Sequence, residues 1–281
     1  MAEQHSRQQG TAQITETHSA EPFIDVADVS LVYGEGKDST LALEHTNLSV
    51  ARGEFIAVVG PSGCGKSSLM KLVTGLQRPT SGAIHVGGAV VSGPVKGVGM
   101  AFQNSTLMQW RTTRDNIMLP LEIVPPHKHR LRRNRAQYVA LAERTLESVG
   151  LGGNGDKFPW QLSGGMQQRA NLCRALIHEP ALLMLDEPFG ALDAFTREEL
   201  WSVMQALWLE RRFSSILVTH DLREAVFLAD TVHVMSQRPG RIILSREVDV
   251  ERPRTLATTF EPRFVDIVHE LREHISQERI Q

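Results

Sequence analysis

The string Gly60-Pro-Ser-Gly-Cys-Gly-Lys-Ser67, set directly behind Phe55-Ile-Ala-Val-Val59, leaves this chain few folds to choose from. Five consecutive apolar residues suit a strand covered on both faces, as in a parallel sheet flanked by helices. Glycines at 60, 63 and 65 let the backbone turn so that successive N–H groups point inward at an anion, and a helix predicted over residues 68–75 adds its positive N-terminal end. In that setting Gly60, Pro61, Ser62, Gly63, Cys64, Gly65, Lys66, Ser67 and Ser68 are expected to line a phosphate tail. Lys66 reaches the outer phosphates and Ser67 offers its hydroxyl to Mg2+. Cys64 reads in two ways, as a reactive thiol in an electropositive pocket or as a small residue that fits there.

Short apolar runs recur at residues 181–185, 215–218 and 231–235, each beside a helical pattern, which predicts an α/β core. Residues 23–32 and 43–50 alternate instead, as strands of a half-buried antiparallel sheet do. Between 104 and 179 the pattern becomes helix-rich, with helices predicted over 135–149 and 165–178 and a loop at Pro125-Pro126, so an inserted helical subdomain is expected. A further helix is predicted over 196–212, capped near Thr196. Phe264, Ile267, Val268, Leu271 and Ile275 make an apolar stripe near the end of the chain, expected to pack on the core.

The composition fits that plan and narrows the function classes. Of 281 residues, 41% are hydrophobic and 22% charged, enough to build a core and incompatible with disorder throughout. No apolar run approaches the roughly 20 residues that span a bilayer. With 30 basic and 32 acidic side chains the net charge is −2, so no general basic field invites nucleic acid. The two cysteines, Cys64 and Cys173, have no metal-site spacing. Residues 1–22 read as a disordered tail without the features of an export signal. The basic run 127–135 reads as a solvated loop, with anionic lipid or an acidic partner loop as the rival.

Asp186 and Glu187 close the run Ala181-Leu-Leu-Met-Leu185. Two adjacent acids at the end of a buried strand are tolerable beside a cation. Alternation along a strand would send them to different faces, leaving Asp186 to hold the metal and Glu187 to polarise an attacking water. A second glycine-rich entry into a helix follows the same logic as the first: Leu162-Ser-Gly-Gly-Met-Gln-Gln-Arg169, with Ser163 able to cap.

With these strings the chain resembles the ABC ATPases. The resemblance runs from about Phe23 to the final helix and implies a P-loop NTPase, RecA-like α/β core with an antiparallel β subdomain and an inserted α-helical subdomain. The implied ATPase domain covers 23–245, followed by an extension over 246–281 with an amphipathic helix. It also implies that Ser163, Gly164, Gly165 and Met166 close on the γ-phosphate of ATP held by the opposite copy in a head-to-tail dimer, Met166 standing where glutamine is usual. Tyr33 would stack on adenine, and Gln103 would touch Mg2+ and water. Asp193 would communicate across the dimer, with Gly190 where serine is commoner, and His220 would contact the γ-phosphate. ATP and Mg2+ are the implied ligands, with Glu187, His220 and Gln103 catalytic and Ser67, Gln103 and Asp186 around the metal.

Ser67 and Ser163 lie 96 positions apart, too close for the coiled coil of chromosome-maintenance relatives, and only one phosphate loop occurs. A transporter subunit with its membrane domains on other chains remains. Ser105-Thr-Leu-Met-Gln-Trp-Arg111, Pro188-Phe-Gly-Ala-Leu-Asp193 and Arg238-Pro-Gly-Arg241 are similar to the nitrate, taurine and alkanesulfonate importer ATPases, although Gln109 replaces a common proline. That resemblance implies separate permease subunits, indirectly a solute-binding protein, and a peripheral place on the cytoplasmic face of the inner membrane. The rival expectation is a soluble ABC ATPase acting on a macromolecule.

Overall fold

A computed structural model describes residues 21–190 and 192–278. The tail expected over 1–22 lies almost wholly outside the described residues. Six strands form one sheet in the order β10-β9-β3-β8-β7-β6: β3 (Phe55–Val59), β6 (Val98–Ala101), β7 (Leu182–Asp186), β8 (Ser214–Val218), β9 (Thr231–Met235) and β10 (Ile242–Glu247). All neighbours are parallel except β10 against β9. β1 (Ile24–Tyr33), β2 (Thr40–Val50), β4 (Ser81–Val86) and β5 (Ala89–Val90) form an antiparallel sheet in the order β2-β1-β4-β5.

β3 explains why its sequence is apolar throughout. Phe55, Ala57 and Val59 enter one core, and Ile56 and Val58 enter another on the opposite face. The second core fills the space between the two sheets, together with α1 (Lys66–Val73). Against the first core pack α5 (Gly164–Leu176), α6 (Ala194–Arg211), α7 (Leu222–Leu228) and α8 (Pro262–Glu278). α8 buries Phe264, Ile267 and Leu271, so the stripe at the end of the chain is part of the main core.

A third core belongs to the helical insertion, where α2 (Thr113–Ile123) and α4 (Arg135–Ser148) pack on the back of α5 through Ile117, Leu121, Leu146 and Cys173. The short α3 (His127–Arg130) occupies the basic run and buries none of its residues. No helix among the described residues is long and apolar enough to cross a membrane.

Candidate active site

β3 runs into the loop at 60–65, and α1 begins at Lys66, two residues earlier than the sequence pattern suggests. Gly65 makes that early start possible. It sits at φ 109°, and a Cβ there would lie 2.7 Å from Leu43 Cδ2 and 3.0 Å from the Ala42 carbonyl. Lys66 is almost fully buried, and its Nζ donates to the carbonyl oxygens of Gly60 at 2.9 Å and Pro61 at 2.8 Å. The ammonium is held inside its own loop, positioned as an anion's counter-charge.

Cys64 is buried beneath the loop with Sγ 3.6 Å from Lys66 Nζ. It fills space there, and the loop as folded closes it to reagents. The loop is braced from outside by residues that sequence reasoning noted only for resemblance. Arg238 donates to the Gly63 carbonyl at 3.1 Å, and a Cβ on Gly240 would lie 2.1 Å from the Cys64 carbonyl oxygen. Tyr33, partly exposed at the end of β1, sets its hydroxyl 3.2 Å from Ser68 Oγ.

The carboxyl ends of three adjacent strands supply the rest. Asp186 ends β7, half-buried, with the Ser67 hydroxyl 3.5 Å away. Burial pushes its carboxyl above the usual range, and the Ser67 hydroxyl pulls against that shift. Glu187 departs from the strand alternation expected of it: its φ of 46° is left-handed, so a backbone turn and not the pleat aims the side chain. That aim brings Glu187 Oε2 to 3.2 Å from His220 Nδ1, beyond β8, and 3.4 Å from Gln103 Nε2, beyond β6. Strand order β8-β7-β6 therefore gathers Gln103, Glu187 and His220 on one oxygen.

No cluster of three His, Cys, Asp or Glu side chains that could hold a metal occurs among the described residues. One half-buried carboxylate beside a hydroxyl suits Mg2+, which keeps water and phosphate oxygens in its shell, and does not suit an all-protein cage. Ser67 and Asp186 fit that ion.

The second glycine-rich string opens α5. Ser163 is the N-cap, and its Oγ accepts from the Met166 N–H at 3.3 Å. The contact uses the Met166 backbone, while its side chain packs against the helical core. Asp193 caps α6, accepting from the Thr196 N–H at 3.0 Å, so the cap lies three residues before the position read from the sequence. That N–H bond holds the Asp193 carboxyl below its ordinary value. Ser163, Gly165, Met166 and Asp193 share one groove of about 400 Å³. It has no residue in common with the cleft beside Gly60, Ser62 and His220. One chain thus carries two separate clefts, each beside one of the glycine-rich strings.

Links between these parts escaped the sequence reading. Gln168 and Asn171 of α5 both donate to the Phe102 carbonyl at 3.1 Å, tying the second glycine string to the residue before Gln103. Arg197 of α6 donates to the Leu192 carbonyl at 3.0 Å and to Asp221 at 3.1 Å, fastening the Asp193 loop to the His220 loop. Asp221 in turn caps α7 through the N–H groups of Arg223 and Glu224. Beneath it, burial and the neighbouring Asp221 carboxylate push Glu224 well above the usual carboxyl range. The one available signal was that a charged residue directly follows His220.

A family model described as ABC transporter matches residues 43–190. A bicarbonate transport ATP-binding protein, CmpD of Synechocystis sp., is 42% identical over 77% of this chain and 75% of its own length. An aliphatic sulfonates import ATP-binding protein, SsuB of Bacillus licheniformis, is 41% identical over 79% and 84%. A nitrate import ATP-binding protein, NrtD of Synechococcus elongatus, is 42% identical over 81% and 82%. Among solved structures, the dimeric post-hydrolysis state of the ATP-binding cassette MJ0796 bound to ADP and Pi matches with a TM-score of 0.69 at 25% identity. That match covers 81% of this chain and all of the cassette.

Proposed function

This chain is a member of the ABC transporter family, and we propose that it is the ATP-hydrolysing subunit of an importer that takes up a small solute through separate permease subunits. The observation that carries the reading is the convergence of Gln103 and His220 on Glu187 Oε2, at the strand ends beside a phosphate loop whose lysine is already in place.

Hydrolysis of ATP calls for charge neutralisation around the γ-phosphate and an aligned water. Lys66 and the loop amides bind the phosphate tail. Ser67 and Asp186 would hold Mg2+, which would supply positive charge to the phosphate tail. Glu187 accepts the proton of the attacking water, and Gln103 and His220 orient that carboxylate. Tyr33 would lie against the adenine. Ser163 and its neighbours complete the site from the second copy, which explains why each chain carries two half-sites and why closure couples hydrolysis to motion.

The solute is proposed to be a small anion of the kind named for the relatives, bicarbonate, nitrate or a sulfonate, selected by the permease and an associated solute-binding protein. The chain would then sit peripherally on the cytoplasmic face of the membrane. Trp110, 76% exposed, and Trp160, 67% exposed, support a partner docked on the helical insertion, since aromatic side chains are enriched at such surfaces.

The test is purification of the tagged chain from cells that express its neighbouring membrane proteins. An integral membrane protein should travel with it, and phosphate release by the complex should fall by about 10²–10⁴-fold in Glu187→Gln while ATP binding persists. Retention by nucleic acid or ribosomes without any membrane partner would favour the soluble alternative. Undiminished hydrolysis would remove Glu187 as the base.

A further inference from the structure

We propose that, when two copies close, Phe195 of one copy inserts into the cleft between the His220 loop and α8 of the other. The inference rests on the two-copy reading above and adds a specific anchor and receptor to it. Phe195 lies in the first turn of α6, two residues after Asp193, and is 82% exposed. Helical side chains lean toward the N-terminus, so the exposed ring leans toward the start of α6, where Asp193 caps it.

The receptor is a cleft of about 500 Å³ that opens beside Gly60, Ser62 and His220, on the side of the molecule where the γ-phosphate must be met. Its far wall comes from α8. Val268, Arg272 and Ile275 of α8 line it together with Leu222 of α7, and the three apolar residues are only partly buried. Arg272 makes no ion pair among the described residues, which leaves its guanidinium free to lie on an aromatic face. Leu222, Val268 and Ile275 give the cleft an apolar patch bordered by the Arg223 and Arg272 guanidinium groups, and such a patch suits a phenyl ring.

Donor and receptor are also neighbours within a single chain. Arg197 bonds both the Leu192 carbonyl, ahead of Phe195, and Asp221, which lines the cleft. A two-fold contact is self-complementary, so a patch that carries ring and slot side by side can make the exchange reciprocally at the axis. Phe195 does not fill the slot of its own chain, as its exposure shows. The second copy is the occupant that lies continuous with the face completed by Ser163. α8 acquires a role by this route: it forms a wall of the receptor that registers closure.

The experiment uses the full chain carrying Glu187→Gln, which holds ATP without turnover. In that background Phe195→Cys with Ile275→Cys, oxidised by copper phenanthroline, should give a disulfide-linked pair of chains with ATP and none without it. Each single cysteine variant should give none. Phe195→Ala should raise the protein concentration needed for ATP-driven pairing at least about tenfold, with Phe195→Leu recovering part of the loss and ATP affinity of the single chain unchanged. If Glu187→Gln alone fails to pair with ATP, the two-copy reading falls and the inference with it. If it pairs but the cysteines do not link, or Phe195→Ala pairs as its parent does, the inference is overturned and the two-copy reading stands.

Discussion

His233 sits in β9 with Nδ1 2.8 Å from Ser245 Oγ on β10 and no partner for Nε2. Burial pulls its imidazole from 6.5 down to about 4. Between those values the unfolded chain takes up a proton that the native chain refuses, so stability falls as pH drops through that window. The loss from this residue should reach about 2 kcal/mol between pH 7 and pH 5. His233→Asn keeps a partner for Ser245 and cannot titrate, so urea unfolding should show a correspondingly flatter acid limb. Equal pH dependence in both proteins would contradict the assignment. Such a histidine was invisible as a titrating group in the sequence, because its environment comes from strands that meet only in the sheet. The positions of Lys66, Asp186, Gln103 and His220 were legible because each belongs to a motif at the start of α1 or just at or beyond the carboxyl end of a core strand. Arg238 and Arg197 were not, since one reaches 175 positions back to Gly63 and the other ties the Leu192 carbonyl to the Asp221 carboxylate, which meet only in the fold.

At the level of elements, the buried Arg254 decides how the last part of the chain joins the core. Its guanidinium donates to the carbonyls of Val226, Phe227 and Ala229 at the end of α7, and to those of Val248 and Val250. Burial draws its pKa down to about 9, which leaves it charged at neutral pH. Gln205 of α6 bonds its backbone at both N–H and carbonyl. Arg254→Met keeps the stem and strands those carbonyls, so chemical unfolding should show a loss of at least about 3 kcal/mol. A change within about 1 kcal/mol would mean that water replaces the guanidinium. The strands legible beforehand were those with continuous apolar runs or clean alternation. β4, β5 and β10 went unread because they are short or largely exposed, and α2 was obscured by Pro120 inside it. Helix starts slipped where caps decided them, at Gly65 for α1 and Asp193 for α6.

For the whole molecule, the sequence supplied the inventory of a nucleotide engine and the fold distributes it over two clefts. The phosphate loop and the Ser163 string open into different clefts, each lacking what the other holds. Physical links give coupling a route: α5 reaches the Phe102 carbonyl next to Gln103, and Arg197 ties Leu192 to Asp221, the residue after His220. Closing two copies would bring these linked loops to bear on the same phosphate. Native mass spectrometry of Glu187→Gln with ATP and Mg2+ tests that account most directly. The predicted species is two chains holding two ATP. A single chain that retains ATP at concentrations well above saturation, or a pair of chains that forms without nucleotide, would contradict it.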